Sequence, residues 1–249
     1  TPALRNKVYE RLAEAQTLAE AKDYAGASAI LKDMISEDGK QALNSYELAN
    51  VYNLHAFLSY ANENYPQSLR YYEQVIAQPD IPLAMEINTR FTIAQLYYVQ
   101  EKWQQGIDAL LMWFEMNEKP NASAYVLLAQ GYYQVKRYDL ALDNVETAIG
   151  MHEGEGKLPK EQWYNLARFL YFDKEDFDSA LDVLNTLIIY YPKKQYWVQA
   201  SHLYREKKDE PRQLALMEAA YEQGFLDRSS ELVTMAYLYL NAEAPYYAG

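Results

Sequence analysis

The sequence contains no cysteine, and it has only nine glycines and nine prolines among 249 residues. Without cysteine it has no disulfide, no thiolate metal ligand and no cysteine nucleophile. That absence fits either the cytoplasm or a bacterial periplasm. The scarcity of glycine and proline favours long helices with short connections over a turn-rich β fold. No run of about 18 apolar residues occurs, so the sequence predicts no membrane-spanning helix.

Positive charge is also scarce, because 23 Lys and Arg residues stand against 35 Asp and Glu residues, for a net charge of -12. Such a protein repels nucleic acid and anionic lipid, so we expect neither as a partner. The acidic balance favours a basic or neutral protein partner, or it serves solubility alone. Tyrosine is abundant, with 25 copies, and it suits half-buried helix faces because its ring packs while its hydroxyl stays in water.

One stretch, residues 128–149, carries a regular pattern of small and aromatic residues. Ala129 is followed by Tyr132, and Tyr138 and Ala141 come nine and twelve residues after Ala129. Small residues let two helices approach closely, and aromatic rings fill the gaps around them. This pattern resembles the tetratricopeptide repeat (TPR), a helix-turn-helix unit of about 34 residues.

The pattern recurs along the chain, and the start of each second helix marks it best. These positions are Tyr24, Tyr65, Trp103, Tyr138, Phe177, Glu210 and Pro245, spaced by 33 to 41 residues. We therefore predict an all-α fold, a right-handed TPR superhelix (α-solenoid) of about six to seven repeats forming a single solenoid over residues 1–249.

The last two predicted repeats are weaker than the others. In the sixth, Glu210 replaces the aromatic residue and Gln213 replaces the small one. The seventh reaches Pro245 and Ala248 as the sequence ends, so we expect the sequence to be truncated within that repeat.

Longer intervals between repeats predict insertions at residues 37–40, 79–82 and 150–159. The third contains three glycines and a proline. It is interpreted either as a flexible junction in the solenoid or as an ordinary surface loop.

No set of residues points to catalysis. The three histidines, His55, His152 and His202, lie in different repeats. None has a second histidine three or four residues away, so we predict no metal site, no cofactor and no catalytic residue. His55 is expected to pack in a helix, and His152 is expected in the loop 150–159. The chain is therefore predicted not to be an enzyme.

In a TPR stack the first helix of each repeat lines the inner groove. The positions about one turn before, just after and one turn beyond the small residue should face that groove, and Asn50 and Asn88 lie a turn earlier on the same face. The predicted binding residues are Asn50, Asn53, Phe57, Tyr60, Asn88, Phe91, Gln95, Tyr98, Gln130, Tyr133, Asn165, Phe169 and Phe172. In the sixth repeat the same positions hold Val198, His202 and Arg205.

The groove residues are mostly amides and aromatics. Asn and Gln both donate and accept hydrogen bonds, so they can hold an extended peptide backbone. Tyrosine adds rigid contact area and accommodates Pro-rich segments. With few Lys or Arg in the groove, clamping of a peptide's terminal carboxylate is not expected. The alternative is that these aromatics pack between repeats and bind nothing.

Several stretches resemble the TPR protein encoded beside TonB-type energy-transduction components in gammaproteobacteria. The stretches are residues 5–16, 155–159, 195–197, 213–224 and 244–246. The resemblance implies a periplasmic accessory scaffold of TonB-dependent outer-membrane uptake, with protein partners that include TonB-complex components and with no catalytic residues. Two alternatives stay open: a self-assembling structural module that forms a homo-oligomer, and a general bacterial TPR adaptor for envelope assembly.

Overall fold

The computed structural model describes residues 3–243, and over that range the chain forms fourteen α-helices and no strand. The helices are α1 (Asn6–Glu20), α2 (Tyr24–Met34), α3 (Glu37–Gln41), α4 (Ser45–Ala61), α5 (Tyr65–Ile76), α6 (Leu83–Val99), α7 (Trp103–Met116), α8 (Ala122–Gln134), α9 (Tyr138–Gly154), α10 (Glu161–Asp173), α11 (Phe177–Tyr190), α12 (Lys194–Glu206), α13 (Glu210–Glu222) and α14 (Ser229–Glu243). None of these helices is long and apolar enough to cross a membrane.

The helices form two compact units. The first unit comprises the chain up to Asn121 together with Gln130–Arg137, and the second comprises Ala122–Ala129 together with the chain from Tyr138 onward. Helix pairs α1/α2, α4/α5 and α6/α7 pack within the first unit. Pairs α10/α11 and α12/α13 pack within the second, where α9 also packs on α10 and α14 on α13.

The turns inside these helix pairs follow one design. The predicted positions Tyr24, Tyr65, Trp103, Tyr138, Phe177 and Glu210 are each the first residue of a second helix, which confirms them. Two residues earlier the backbone is left-handed, with φ between 56° and 63°, at Lys22, Glu63, Glu101, Lys136, Glu175 and Lys208. In four turns the next side chain caps the helix by accepting a backbone N–H; these are Asp23, Asn64, Asp176 and Asp209. The predicted Pro245 and Ala248 lie outside the described residues.

Small residues hold the paired helices close together, as the repeat pattern predicts. Ala56 and Ser68 are buried where α4 crosses α5, and the Ser68 hydroxyl donates to the Ala56 carbonyl at 2.8 Å. Gly106 of α7 likewise lies against the backbone of α6, where an added Cβ would stand 3.3 Å from the Ala94 carbonyl oxygen. Close approach of the backbones lets the surrounding apolar side chains fill the interior without voids.

Two predicted insertions take different forms. Residues 37–40 fold into the short helix α3, which Ser36 caps. The predicted loop 150–159 is partly wrong, because α9 continues through Gly154. His152 packs against Trp163 with tilted rings, 4.5 Å between centroids, and Tyr164 donates to Glu153 at 2.8 Å. These contacts with α10 hold the extra turn despite its glycines. Residues 150–159 lie inside the second unit, and the chain passes between the two units at 121/122, at 129/130 within α8, and at 137/138.

Candidate functional site

Helix α4 exposes only three of its seventeen residues, and all three are predicted groove positions. They are Asn53, Phe57 and Tyr60, and the two aromatic side chains are 52% and 47% exposed. Spacings of four and three place them on one helix face. The rest of α4 is covered at least in part, because it packs against α1, α2 and α5.

The glutamate and the histidine of α4 point inward. Glu47 is fully buried, and the Arg5 guanidinium donates to it through Nε at 2.8 Å and Nη2 at 2.5 Å. The backbone N–H of Asn44 adds a hydrogen bond of 3.0 Å. The side-chain hydrogen bond from Arg5, helped by the backbone N–H groups of Asn44 and Arg5, lowers the pKa of Glu47 to about 2. The surface of α4 therefore carries no charge.

His55, the one histidine of α4, is buried and stacks on the Tyr71 ring at 4.1 Å between centroids. Its Nε2 lies 3.2 Å from the Tyr71 hydroxyl. Burial lowers the pKa of His55 below its ordinary value. As predicted, this histidine packs inside the helix pair.

Helix α6 repeats the uncharged surface of α4. Its exposed residues are Leu83, Ala84, Asn88, Gln95 and Val99. Its two charged residues, Glu86 and Arg90, are half-buried and pair with each other at 2.8 Å. At the end of α8 that belongs to the first unit, the exposed residues are Gln130 and Gln134.

We call Asn53, Phe57, Tyr60, Asn88, Gln95 and Gln130 the amide face. All six residues are predicted groove positions that the structure leaves exposed. The second helices of the same unit differ, because α5 exposes Arg70 and Glu73 and α7 exposes Asp108 and Glu115. Exposed charged residues are thus absent from the first helices α4 and α6 and present on their partners, whereas the first helix α1 exposes Lys7, Glu10 and Glu14.

Tyr98 is a correction to the predicted groove. It is 8% exposed, and its ring packs on Trp103 at 5.3 Å between centroids. The ring and hydroxyl fill the space over Gly106 and Gly131, where an added Cβ would overlap them. Burial raises the pKa of Tyr98 above its usual range. Two glycines leave a gap that this side chain fills, so it cannot contact a ligand.

Three other predicted residues of the first unit are half-buried. The Asn50 side chain donates to the Tyr46 carbonyl at 2.8 Å. Phe91 packs on Trp113 at 4.9 Å between ring centroids. Tyr133 is also partly covered. Because these three side chains are partly covered, they are not counted among the residues of the amide face.

In the second unit, the predicted Asn165 belongs to an internal network. Its Nδ2 donates to the Tyr196 hydroxyl at 2.8 Å, and that hydroxyl donates to Glu161 at 2.5 Å. Lys193 pairs with the same carboxylate at 2.7 Å. The Asn165 amide donor is therefore engaged inside the protein, which corrects its prediction as a groove residue.

Arg168 is a member of this region that sequence reasoning missed. In the other strong repeats a small residue stands twelve positions before the small residue of the second helix. Counting twelve back from Ala180 gives Arg168, so this spacing could have identified it. Its guanidinium donates to Gln199 and lies over the Tyr196 ring, 5.7 Å from the centroid. A charged side chain thus occupies the position of an alanine and links α10 to α12.

The two predicted phenylalanines of α10 differ in exposure. Phe169 is exposed, with its ring 6.4 Å from that of Tyr138. Phe172 is half-buried and meets Phe177 edge-on at 6.0 Å. Over the part of the chain that the structure describes, no three His, Asp or Glu side chains gather as metal ligands.

Comparison by sequence gives no relative, since no protein-family model and no curated protein matches the chain. Solved structures do match it. A tetratricopeptide repeat protein from Parabacteroides merdae ATCC 43184 is 14% identical over 98% of this chain and 88% of its own, with a TM-score of 0.58.

The apo form of RapI is 12% identical over 97% of this chain and 86% of its own, with a TM-score of 0.57. YrrB, described as a TPR protein with an unusual peptide-binding site, is 14% identical over 76% of this chain and 92% of its own, with a TM-score of 0.54. At such identities the likeness concerns the fold. The chain has the all-α, α-solenoid fold of TPR proteins.

Proposed function

We propose that this protein is a non-catalytic interaction scaffold whose amide face binds an extended segment of a partner protein. The observation that carries the proposal is the segregation of charge in the first unit. The protein has 23 basic and 35 acidic residues, yet no exposed residue of α4 or α6 is charged. Solubility alone favours charges on every exposed face, whereas a binding face is easier to desolvate without them.

The residue types of the amide face suit a peptide backbone. Asn53, Asn88, Gln95 and Gln130 each offer a carbonyl acceptor and two N–H donors, so they can pair with both backbone groups of a bound strand or polyproline helix. Phe57 and Tyr60 add exposed aromatic area of the kind that anchors interfaces. No exposed Lys or Arg on α4 or α6 is available to clamp a carboxylate.

Fluorescence anisotropy with a short, labelled, uncharged Pro-rich peptide tests the proposal. The double variant Phe57→Ala/Tyr60→Ala should bind at least tenfold more weakly, because both aromatic contacts are lost. Tyr221→Ala is the control, since Tyr221 is 55% exposed on a second helix of the second unit. Equal affinities of the double variant and the wild type would refute the role of the amide face.

We further propose that the partner belongs to a TonB-dependent uptake system and that the protein is a periplasmic accessory of it. The support is the resemblance carried by residues 5–16, 155–159, 195–197 and 213–224. Cross-linking in intact cells followed by mass spectrometry should recover TonB-complex components with the wild type and lose them with Phe57→Ala/Tyr60→Ala. Recovery of other envelope proteins alone would reject this assignment and leave the scaffold proposal standing.

Helix α14 favours self-assembly as a second candidate function. Val233, Tyr237 and Leu240 are 67%, 63% and 68% exposed, and their spacings of four and three place them on one face. A second copy covering this face would make the protein a homo-oligomer. Sedimentation at increasing concentration should then show a dimer that Tyr237→Lys abolishes, and a monomer at every concentration would reject this candidate.

A further inference from the structure

The second unit contains a cavity of about 440 Å³ between α12, α13 and α14. Its volume lies within the roughly 300–1,000 Å³ typical of ligand pockets. Seven of its fifteen lining residues are apolar, among them Trp197, Leu216, Met217 and Phe225. The cavity therefore has the size and lining for a bulky apolar group.

The cavity opens on the exposed face of a first helix. Val198, His202 and Arg205 lie along its edge, and they are the positions in α12 that correspond to Asn53, Phe57 and Tyr60 in α4. In this repeat Gln213 replaces the usual small residue. It is buried, and its side-chain amide donates to the Ser201 hydroxyl over a long distance of 3.5 Å.

The charges around the cavity differ at its two ends. Lys194 is compensated by Asp227 at 2.5 Å and Glu231 at 3.6 Å. Arg205 is exposed and donates to His202 Nδ1 at 2.7 Å. The carboxylate with which it pairs, Glu206, is 3.8 Å away, too far for a hydrogen bond. Arg205 therefore keeps donors that can bind a carboxylate of a ligand.

One buried donor of the wall also lacks an acceptor. The Trp197 Nε1–H is buried and makes no hydrogen bond to any residue between 3 and 243. Leaving a buried donor without a partner is unfavourable. Because this nitrogen is closed to solvent, a ligand carbonyl satisfies it only if side chains around the indole ring move.

We propose that this cavity binds a segment of a partner protein in which a bulky apolar side chain neighbours an acidic residue. The apolar side chain enters between Trp197 and Met217, and the carboxylate pairs with Arg205, whose planar fork suits two parallel hydrogen bonds. The cavity is open along the exposed residues Val198, His202 and Arg205 of α12. A peptide can therefore enter it with one side chain while its backbone stays outside.

The test uses a fluorescein-labelled peptide, Gly-Ser-Phe-Asp-Ser-Gly, and two comparison peptides, one with Ser in place of Phe and one with Lys in place of Asp. The wild type should bind the first peptide at least tenfold more tightly than either comparison. Arg205→Glu should weaken binding at least tenfold. Arg70→Glu makes the same charge change on α5 of the first unit and should leave affinity unchanged.

A second variant tests the cavity itself. Ser230→Trp places a ring at the mouth and should abolish binding, with Thr234→Trp as the substitute if circular dichroism shows that the first variant is unfolded. The proposal is overturned if no peptide binds saturably, if the Ser or Lys peptide binds equally well, or if Arg205→Glu has no effect.

The cavity could instead receive a second copy of this chain, and the same variants distinguish that outcome. A wild-type dimer that Ser230→Trp converts to a monomer would overturn the peptide proposal in favour of an interface between copies. Phe57→Ala/Tyr60→Ala should leave binding of the acidic peptide unchanged. If the acidic peptide does not bind the cavity, the proposal for the amide face of the first unit is therefore unaffected.

Discussion

The two units use equivalent positions of their first helices in different ways. In the first unit, Asn53 of α4 is exposed, and the exposed residues around it are uncharged. In the second unit, Asn165 is engaged by Tyr196, and α12 exposes Arg205. The repeat pattern thus fixes where a side chain projects. Its neighbours on the next repeat determine whether it remains available to a ligand.

The largest expected difference in the free energy of unfolding is between variants of two tyrosines that the sequence assigns to the same groove. Tyr98→Ala should lower the free energy of unfolding by about 3–5 kcal/mol, because it empties a packed site over two glycines. Tyr60→Ala should change it by no more than about 0.5 kcal/mol, as expected of an exposed residue. Urea denaturation of both variants checks this, and similar losses would show that Tyr60 is also a packing residue.

An acid titration tests how the first unit keeps its surface uncharged. The pKa of Glu47 in the folded state, about 2, lies below its value in the unfolded chain, which is roughly 4.3. Glu47 therefore stabilises the fold above about pH 4.3, and this contribution is lost as the pH falls towards 2. Glu47→Gln removes the titrating group.

Between about pH 4.3 and 2, the free energy of unfolding of the wild type should fall more steeply than that of Glu47→Gln. Denaturation curves at stepwise pH measure this difference. Parallel pH profiles for the two proteins would mean that the Arg5–Glu47 pair contributes nothing to stability.

The smallest expected difference in stability is between variants of two asparagines, one from each unit. Asn165→Ala removes the hydrogen bond to Tyr196 and should cost about 1 kcal/mol. Asn88→Ala alters an exposed amide and should stay within about 0.5 kcal/mol. Thermal denaturation of both variants gives the comparison. An equal loss at Asn88 would mean that the amide face contributes to the fold of the first unit.

Features that depend on local chemistry could be predicted from the sequence. The second helices begin at Tyr24, Tyr65 and Phe177 because a capping Asp or Asn precedes each aromatic residue. The exposure of Phe57 and Tyr60 follows from their spacing around the buried Ala56. Both signals lie within a few residues of the feature that they predict.

Features that depend on distant residues could not be predicted in the same way. Tyr98 is buried because Gly131, on another helix, leaves room for it. Asn165 is engaged by Tyr196, 31 residues later. The helix α9 persists to Gly154 through contacts with Trp163 and Tyr164. The single superhelix over residues 1–249 stays a prediction.

A matched pair of charge insertions in one helix pair tests the central claim most directly. Gln95 lies on the amide face, and Gln105 is exposed on the second helix α7. The affinity of each Gln→Lys variant for the uncharged Pro-rich peptide is measured by anisotropy. Gln95→Lys should weaken binding at least tenfold, because a desolvated charge is costly, while Gln105→Lys should match the wild type. Equal affinities of the two variants would contradict the assignment of the amide face as the binding surface.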